Sequence, residues 1–271
     1  MRIVSFIMVL ILSIFSLKAE YLVVSVKPIE LILNEILPRN FEINTIYAAD
    51  SIPSEQVLEP HLYTEYATAD LLLYTSDINE PQVLDIPARK KINLAELIPE
   101  ELQVKYSYEG VEYINEYFWF NPEITSVVVS KLIDILVSEF PDDSQFLLAS
   151  ANRFENKTEL MVEKIKMNIK KMRLKPFVTD YNYLGYMSSF FREFKPTEFH
   201  QKFGEFYEIT ELSDVRFAGM LIAEQVDKER YMKLAVKFRL KYIYFDVYAR
   251  DAEKYTSFIR NMNVKLLSLL I

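Results

Sequence analysis

The chain contains no cysteine among its 271 residues. That absence removes disulfides, thiolate metal ligands, cysteine nucleophiles and the cysteine on which a lipid anchor would be built. Glycine is almost as scarce. Gly110, Gly185, Gly204 and Gly219 are the only four, and no two lie close enough to form a phosphate-cradling loop, which argues against nucleotide and dinucleotide binding. Imidazole is limited to His61 and His200. Neither belongs to a paired-histidine zinc-protease motif, and no serine is flanked by glycines as in a nucleophile elbow. Long apolar runs are missing too, except at the very start.

That start has a basic Arg2, an apolar run over residues 3–15 and a small residue, Ala19, at a cleavage-like position. The run is too short for a comfortable bilayer crossing, and the pattern is that of a secretory signal over residues 1–19. A mature chain beginning near Glu20 is expected to be soluble, periplasmic and free of a lipid anchor. Loss of Arg2 and Lys18 with the leader takes the basic count from 31 to 29 against 39 acidic residues, a formal net charge of −10. Backbone phosphate binding needs a basic footprint, so nucleic acid and anionic membranes are poor partners and cations better ones, although an acidic surface also serves solubility alone. With 51% apolar and 14% aromatic residues, the mature chain has enough material for one large core or two moderate ones.

The patterning alternates strand and helix. Residues 21–26 are apolar and β-branched, and Lys27-Pro28 opens an amphipathic stretch to Leu37 with proline in the first turn, where its missing N–H does no harm. Residues 41–47 alternate apolar and polar; residues 60–69 read as a helix and 70–74 as a short apolar strand. Such β-then-α units predict parallel sheets with helices outside, an α/β fold. After a less regular middle, residues 122–140 read as a helix, Pro141-Asp142-Asp143-Ser144 as a break, and residues 142–173 as one long connecting helix without proline or glycine after that break. The β/α rhythm then resumes with strands near 176–179, 217–223 and 242–246 and helices near 182–194, 228–238 and 252–270. The expected organisation is a leader at 1–19, an N-terminal lobe at 20–141, the connecting helix at 142–173 and a C-terminal lobe at 174–271. No Gly/Ser linker separates the lobes, and a monomer is expected.

Six short pieces then fall in a familiar order. They are Val24-Ser25-Val26-Lys27-Pro28; Asp50-Ser51-Ile52-Pro53-Ser54-Glu55 with Leu58-Glu59-Pro60 and Ala69-Asp70-Leu71-Leu72; Trp119-Phe120-Asn121-Pro122; Phe177-Val178-Thr179-Asp180 with Tyr183; Ala223-Glu224-Gln225; and Tyr244-Phe245-Asp246. In order and spacing the chain resembles the zinc- and manganese-binding ZnuA/TroA-like solute receptors of ABC transporters. The resemblance implies two α/β lobes, a long connecting helix, a divalent cation in the cleft between the lobes, and delivery to an inner-membrane permease. It also places the family's ligand histidines on Ser54, Tyr117 and, most nearly, Asp180. Only Asp246 matches a ligand in type, and the family's histidine-rich loop is missing.

Zinc prefers nitrogen and sulfur donors, whereas two aspartates with hydroxyls make a harder site suited to manganese, magnesium or calcium. The candidate metal ligands are therefore Asp180, Asp246, Glu55, Glu116, Ser54 and Tyr117. Glu55 and Glu116 can contribute only where the chain is a loop, since neighbouring side chains of a strand face opposite ways. For Asp180 and Asp246 the alternative is a cap or turn role. The aromatics Tyr113, Tyr117, Phe118, Trp119, Phe120, Tyr181 and Tyr183 read either as inter-lobe packing or as the lining of an apolar pocket. The leading functional expectation is a periplasmic zinc or manganese receptor, divergent and weakly binding. The alternatives are a receptor of a metal chelate or a protein, and an exported hydrolase using carboxylates such as Asp180 and Glu224.

Overall fold

The computed structural model describes residues 19–108, 110–170, 177–179, 183–189, 219–225, 228–237 and 239–270. The N-terminal lobe is built on a parallel sheet in the order β2-β1-β3-β4, with β1 at Glu20–Val24, β2 at Phe41–Thr45, β3 at Leu71–Tyr74 and β4 at Lys91–Asn93. The central strands carry unbroken apolar runs, Leu22-Val23-Val24 and Leu71-Leu72-Leu73, all fully buried, as a sheet covered on both faces requires. Helix α1, Lys27–Ile36, follows β1 with Pro28 in its first turn and buries Ile29, Leu31, Ile32, Leu33 and Ile36. The short α2, Pro60–Tyr66, precedes β3.

The irregular middle contains an antiparallel hairpin, β5 (Lys105–Tyr108) with β6 (Val111–Ile114), that the periodicity does not announce. Its turn uses Gly110 at φ +81, a left-handed conformation that glycine adopts without steric cost. Helix α3, Pro122–Glu139, has a well-made start: Asn121 accepts from the N–H groups of Glu123 (2.9 Å) and Ile124 (3.3 Å), and Pro122 needs no partner for a missing N–H. A turn at Pro141–Asp143 leads into α4, Ser144–Lys170, 27 residues and about 40 Å long. The C-terminal lobe has a second parallel sheet, β7 (Phe177–Thr179), β8 (Gly219–Ala223) and β9 (Tyr242–Phe245), with α5 (Lys228–Lys237) and α6 (Tyr255–Leu270). Among the described residues no helix is long and apolar enough to cross a membrane.

The last helix returns to the first lobe. Phe258 of α6 packs 5.6 Å from Phe120, and Tyr255 stacks 5.7 Å from Phe154 of α4. Glu35 on α1 accepts from Lys157 of α4 at 3.0 Å and from the Thr256 N–H of α6 at 3.4 Å, joining three helices at one carboxylate. One continuous apolar core runs from Leu22 through Trp119 and Phe154 to Leu266. Both lobes therefore share the same buried surface, and they should unfold together. A single calorimetric transition is expected, with no stable halves released by limited proteolysis within α4; two resolved transitions would contradict it.

Candidate functional site

The seam between the lobes is set by the segment after the hairpin. Asn115 anchors it, donating its N–H to the Val104 carbonyl at 2.7 Å and accepting from Tyr117 N–H at 2.9 Å through its side chain. Glu116 and Tyr117 lie in this irregular stretch, so both can turn inward where a strand would send one outward. Tyr117 is 3% exposed, with its ring edge-on to Tyr183 (4.8 Å) and Trp119 (5.3 Å) and its hydroxyl 3.5 Å from that of Tyr248. Trp119 donates from its indole N–H to the Val247 carbonyl at 3.2 Å, and its own carbonyl accepts from the Tyr255 hydroxyl at 2.9 Å. Asn121 donates its amide to the Tyr186 carbonyl at 2.8 Å. Of the two readings of these aromatics, Tyr117, Trp119, Phe120 and Tyr183 fit inter-lobe packing, Tyr113 pairs with Tyr106 inside the hairpin, and Tyr181 lies outside the described residues.

On the other side of the seam, Asp246 follows β9. Its Oδ1 accepts from Tyr248 N–H at 3.1 Å and from the Gln225 amide at 3.0 Å, and its Oδ2 accepts from Asp251 N–H at 3.5 Å. Partial burial moves its carboxyl above the ordinary aspartate range, while these donors pull it back. The same Gln225 Nε2 donates across the seam to the Ala49 carbonyl at 2.9 Å. Glu224, which follows β8, is neutralised by Arg250 at 2.8 Å and Lys265 at 3.1 Å. Asp246, Glu224, Asp251 and Lys265 share the wall of a cavity of about 290 Å³ with Phe258 and Met262.

Ser54 and Glu55 are exposed on a single helical turn at Pro53–Glu55. That loop is fixed by glutamines: Gln56 pairs with both the N–H and the carbonyl of Ala48 at 3.0 Å, and Gln82 donates to the Gln56 carbonyl while accepting from Leu58 N–H at 2.7 Å. His61 sits exposed on α2, 3.3 Å from Glu59. Asp180 and His200 lie outside the described residues. Among the described residues, no three histidine, aspartate or glutamate side chains form a group able to hold a metal ion. Tyr117 and Asp246 are brought to the same seam, linked through Tyr248; Ser54 and Glu55 face solvent instead.

Sequence reasoning missed a buried acid pair beside the seam. Glu80 lies 2% exposed under the carboxyl ends of β1 and β3. It accepts from the Thr75 N–H (2.8 Å), the Thr75 hydroxyl (2.6 Å) and the Ser76 N–H (3.4 Å). Next to it, Asn79 donates its amide to Oε1 of Glu116, whose Oε2 is buried with no hydrogen-bond partner among the described residues. Burial pushes both carboxyls up to about 7, against the donors that face them, and the charge of Glu80 raises Glu116 further. Nothing in Asp77-Ile78-Asn79-Glu80-Pro81 announces this, because the burial comes from elements distant in the chain.

Residues 22–194 match the family described as zinc-uptake complex component A, periplasmic. The chain belongs to that family. Its fold is shared with several solved structures, each covered almost completely. A laminin-binding adhesin mutant from Streptococcus agalactiae superposes with a TM-score of 0.78 at 16% identity over 92% of this chain and 99% of that one. The periplasmic zinc-binding protein TroA from Treponema pallidum gives 0.76 at 14% identity over 93% and 99%. A manganese-bound periplasmic metal-binding protein from Candidatus Liberibacter asiaticus gives 0.77 at 16% over 93% and 100%. No curated protein sequence matches the chain. As a member of an uptake-component family the chain is a solute-binding transport protein and not an enzyme.

Proposed function

We propose that the chain is the periplasmic receptor of a divalent-metal ABC import system, a divergent member that takes zinc or manganese weakly through oxygen donors and passes it to an inner-membrane permease. The observation that carries this reading is the family match over residues 22–194, joined to a fold of the same two-lobed kind. One structural relative is a zinc-binding protein and another is manganese-bound. Asp246 is the leading donor, because ligands of open α/β sheets gather at the carboxyl ends of strands and Asp246 follows β9 directly. Asp180, Glu116 and Tyr117 are the further donors of this reading, with Ser54 and Glu55 the most remote. A set made of carboxylates and hydroxyls is hard, favours manganese over zinc relative to imidazole sites, and loses cation as acid protonates it. The leader over residues 1–19 delivers the chain to the periplasm and is removed.

Purified from the periplasm without added metal, the protein should carry substoichiometric manganese or zinc by elemental analysis. Saturating manganese at about a hundred times the dissociation constant should stabilise it by about 2.7 kcal/mol, a rise of roughly 5–10 °C in melting temperature. Asp246→Ala should remove that rise. A melting temperature unmoved by every divalent cation would overturn the reading. It would favour instead a receptor fold that recognises a metal chelate or a protein partner, to which one observation already leans: the acceptor positions of Asp246 are engaged by protein donors.

A further inference from the structure

Gln225 makes a contact that family membership does not account for. Its Nε2 stands 2.9 Å from the Ala49 carbonyl of the N-terminal lobe and 3.0 Å from Asp246 Oδ1 of the C-terminal lobe. Its Oε1 accepts from Val247 N–H at 3.4 Å, so the amide plane is held from both ends. Two oxygen acceptors from different lobes thus converge on one nitrogen. Oxygens converging from several directions are also what a hard cation needs, the difference being that an amide supplies two fixed protons and a cation a charge. The Ala49 side of the contact is braced. Ala48 is paired to Gln56, and Gln56 to Gln82, which also accepts from the Tyr63 hydroxyl at 3.2 Å.

We propose that Gln225 sets the cation affinity of the cleft: its side-chain amide takes the place of a cation between Asp246 and the Ala49 carbonyl, bonding one lobe to the other without metal and competing with any divalent ion for Asp246. This rests on the reading of the cleft as a cation receptor. A cation reaching Asp246 must first displace the amide and break two hydrogen bonds, which lowers its apparent affinity. The latch adds a polar bond between the lobes to the apolar core that they already share.

The test is manganese binding, by isothermal titration and thermal shift, to the full mature chain carrying Gln225→Glu or Gln225→Ala. Gln225→Glu places a third oxygen at the same point and removes the competing donor. It should lower the melting temperature of the metal-free protein and tighten manganese binding by about tenfold or more, with the melting temperature restored by the ion. Gln225→Ala removes the competitor without adding a ligand and should tighten binding by a smaller factor. If Gln225 instead ligates through Oε1, Gln225→Ala weakens binding, and the proposal fails. Should the wild type bind no manganese while Gln225→Glu does, the latch stands and the metal-cargo reading falls. Should the wild type bind manganese and Gln225→Glu bind it no more tightly, the latch falls and the cargo reading stands. Binding by neither protein overturns both.

Discussion

Trp119→Ala should lower the melting temperature by roughly 10 °C and broaden the unfolding transition, the largest effect expected of any single substitution at the seam. The side chain is fully buried and touches Tyr117, Phe118, Phe120 and Tyr248. Removing it leaves a cavity between the lobes, which for a large aromatic costs about 3–5 kcal/mol. Its indole N–H also supplies the bond to the Val247 carbonyl, an acceptor left without that donor in the variant. Trp119→Phe keeps most of the ring volume and should recover most of the loss. Because β9 continues directly into Val247, the loosened segment contains Asp246. Trp119→Ala should therefore weaken any cation binding as well as the fold. A melting temperature within 2–3 °C of the wild type would mean that the seam does not hold the lobes together.

Stability should fall, not rise, as the pH is taken from 5 to 8. Glu80 and Glu116 have carboxyls pushed up from 4.5 to about 7 by burial. A group whose folded value lies above its unfolded value stabilises the fold at low pH, where both states are protonated. It loses that contribution as the pH climbs, because the unfolded chain ionises first. A displacement of this size costs about 3 kcal/mol per group well above pH 7, and the two groups titrate as a pair. Surface acids act in the opposite sense: Lys90 and Arg89 hold the Glu139 carboxyl below its ordinary value, so that contribution is lost only in stronger acid. The stability maximum should consequently lie on the acid side of neutrality. Glu116→Gln retains the acceptor for Asn79 and cannot ionise. It should flatten the fall in urea midpoint between pH 5 and 8 by about half, while a variant as pH-dependent as the wild type would remove Glu116 from the explanation.

How far the chain could be read in advance follows from where each signal resides. The apolar runs of β1 and β3, the proline that opens α1 and the Asn121-Pro122 start of α3 are local facts, and the corresponding elements lie close to where they were expected. The long helix was legible because no proline or glycine interrupts it. The β5–β6 hairpin was not: Val111 and Glu112 are exposed and Tyr113 and Ile114 only half-buried, so no clean alternation forms. At the site, the order of six short pieces pointed to Asp246, Glu116 and Tyr117 as positions but not to their surroundings. That Tyr117 packs in an aromatic cluster, that Glu116 shares a buried region with Glu80, and that Gln225 reaches Ala49, 176 residues away, are consequences of chain crossings. No window of sequence contains them.

The return of α6 to the first lobe bears on the order in which the molecule can assemble. Helix α1 is made within the first forty residues, yet its Glu35 receives one of its partners, Thr256, 221 positions later. Phe120 likewise waits for Phe258. A chain emerging N-terminus first cannot finish its first lobe until its last helix has appeared, and contacts so distant in sequence make for slow final closure. Under the proposed role as an exported receptor, that delay is an advantage: the polypeptide stays incompletely folded, and so transportable, until nearly all of it has been made. A chain stopped short of Tyr255 should accumulate as a species with an exposed apolar flank on α1 and α4, recognisable to proteases and chaperones as unfinished.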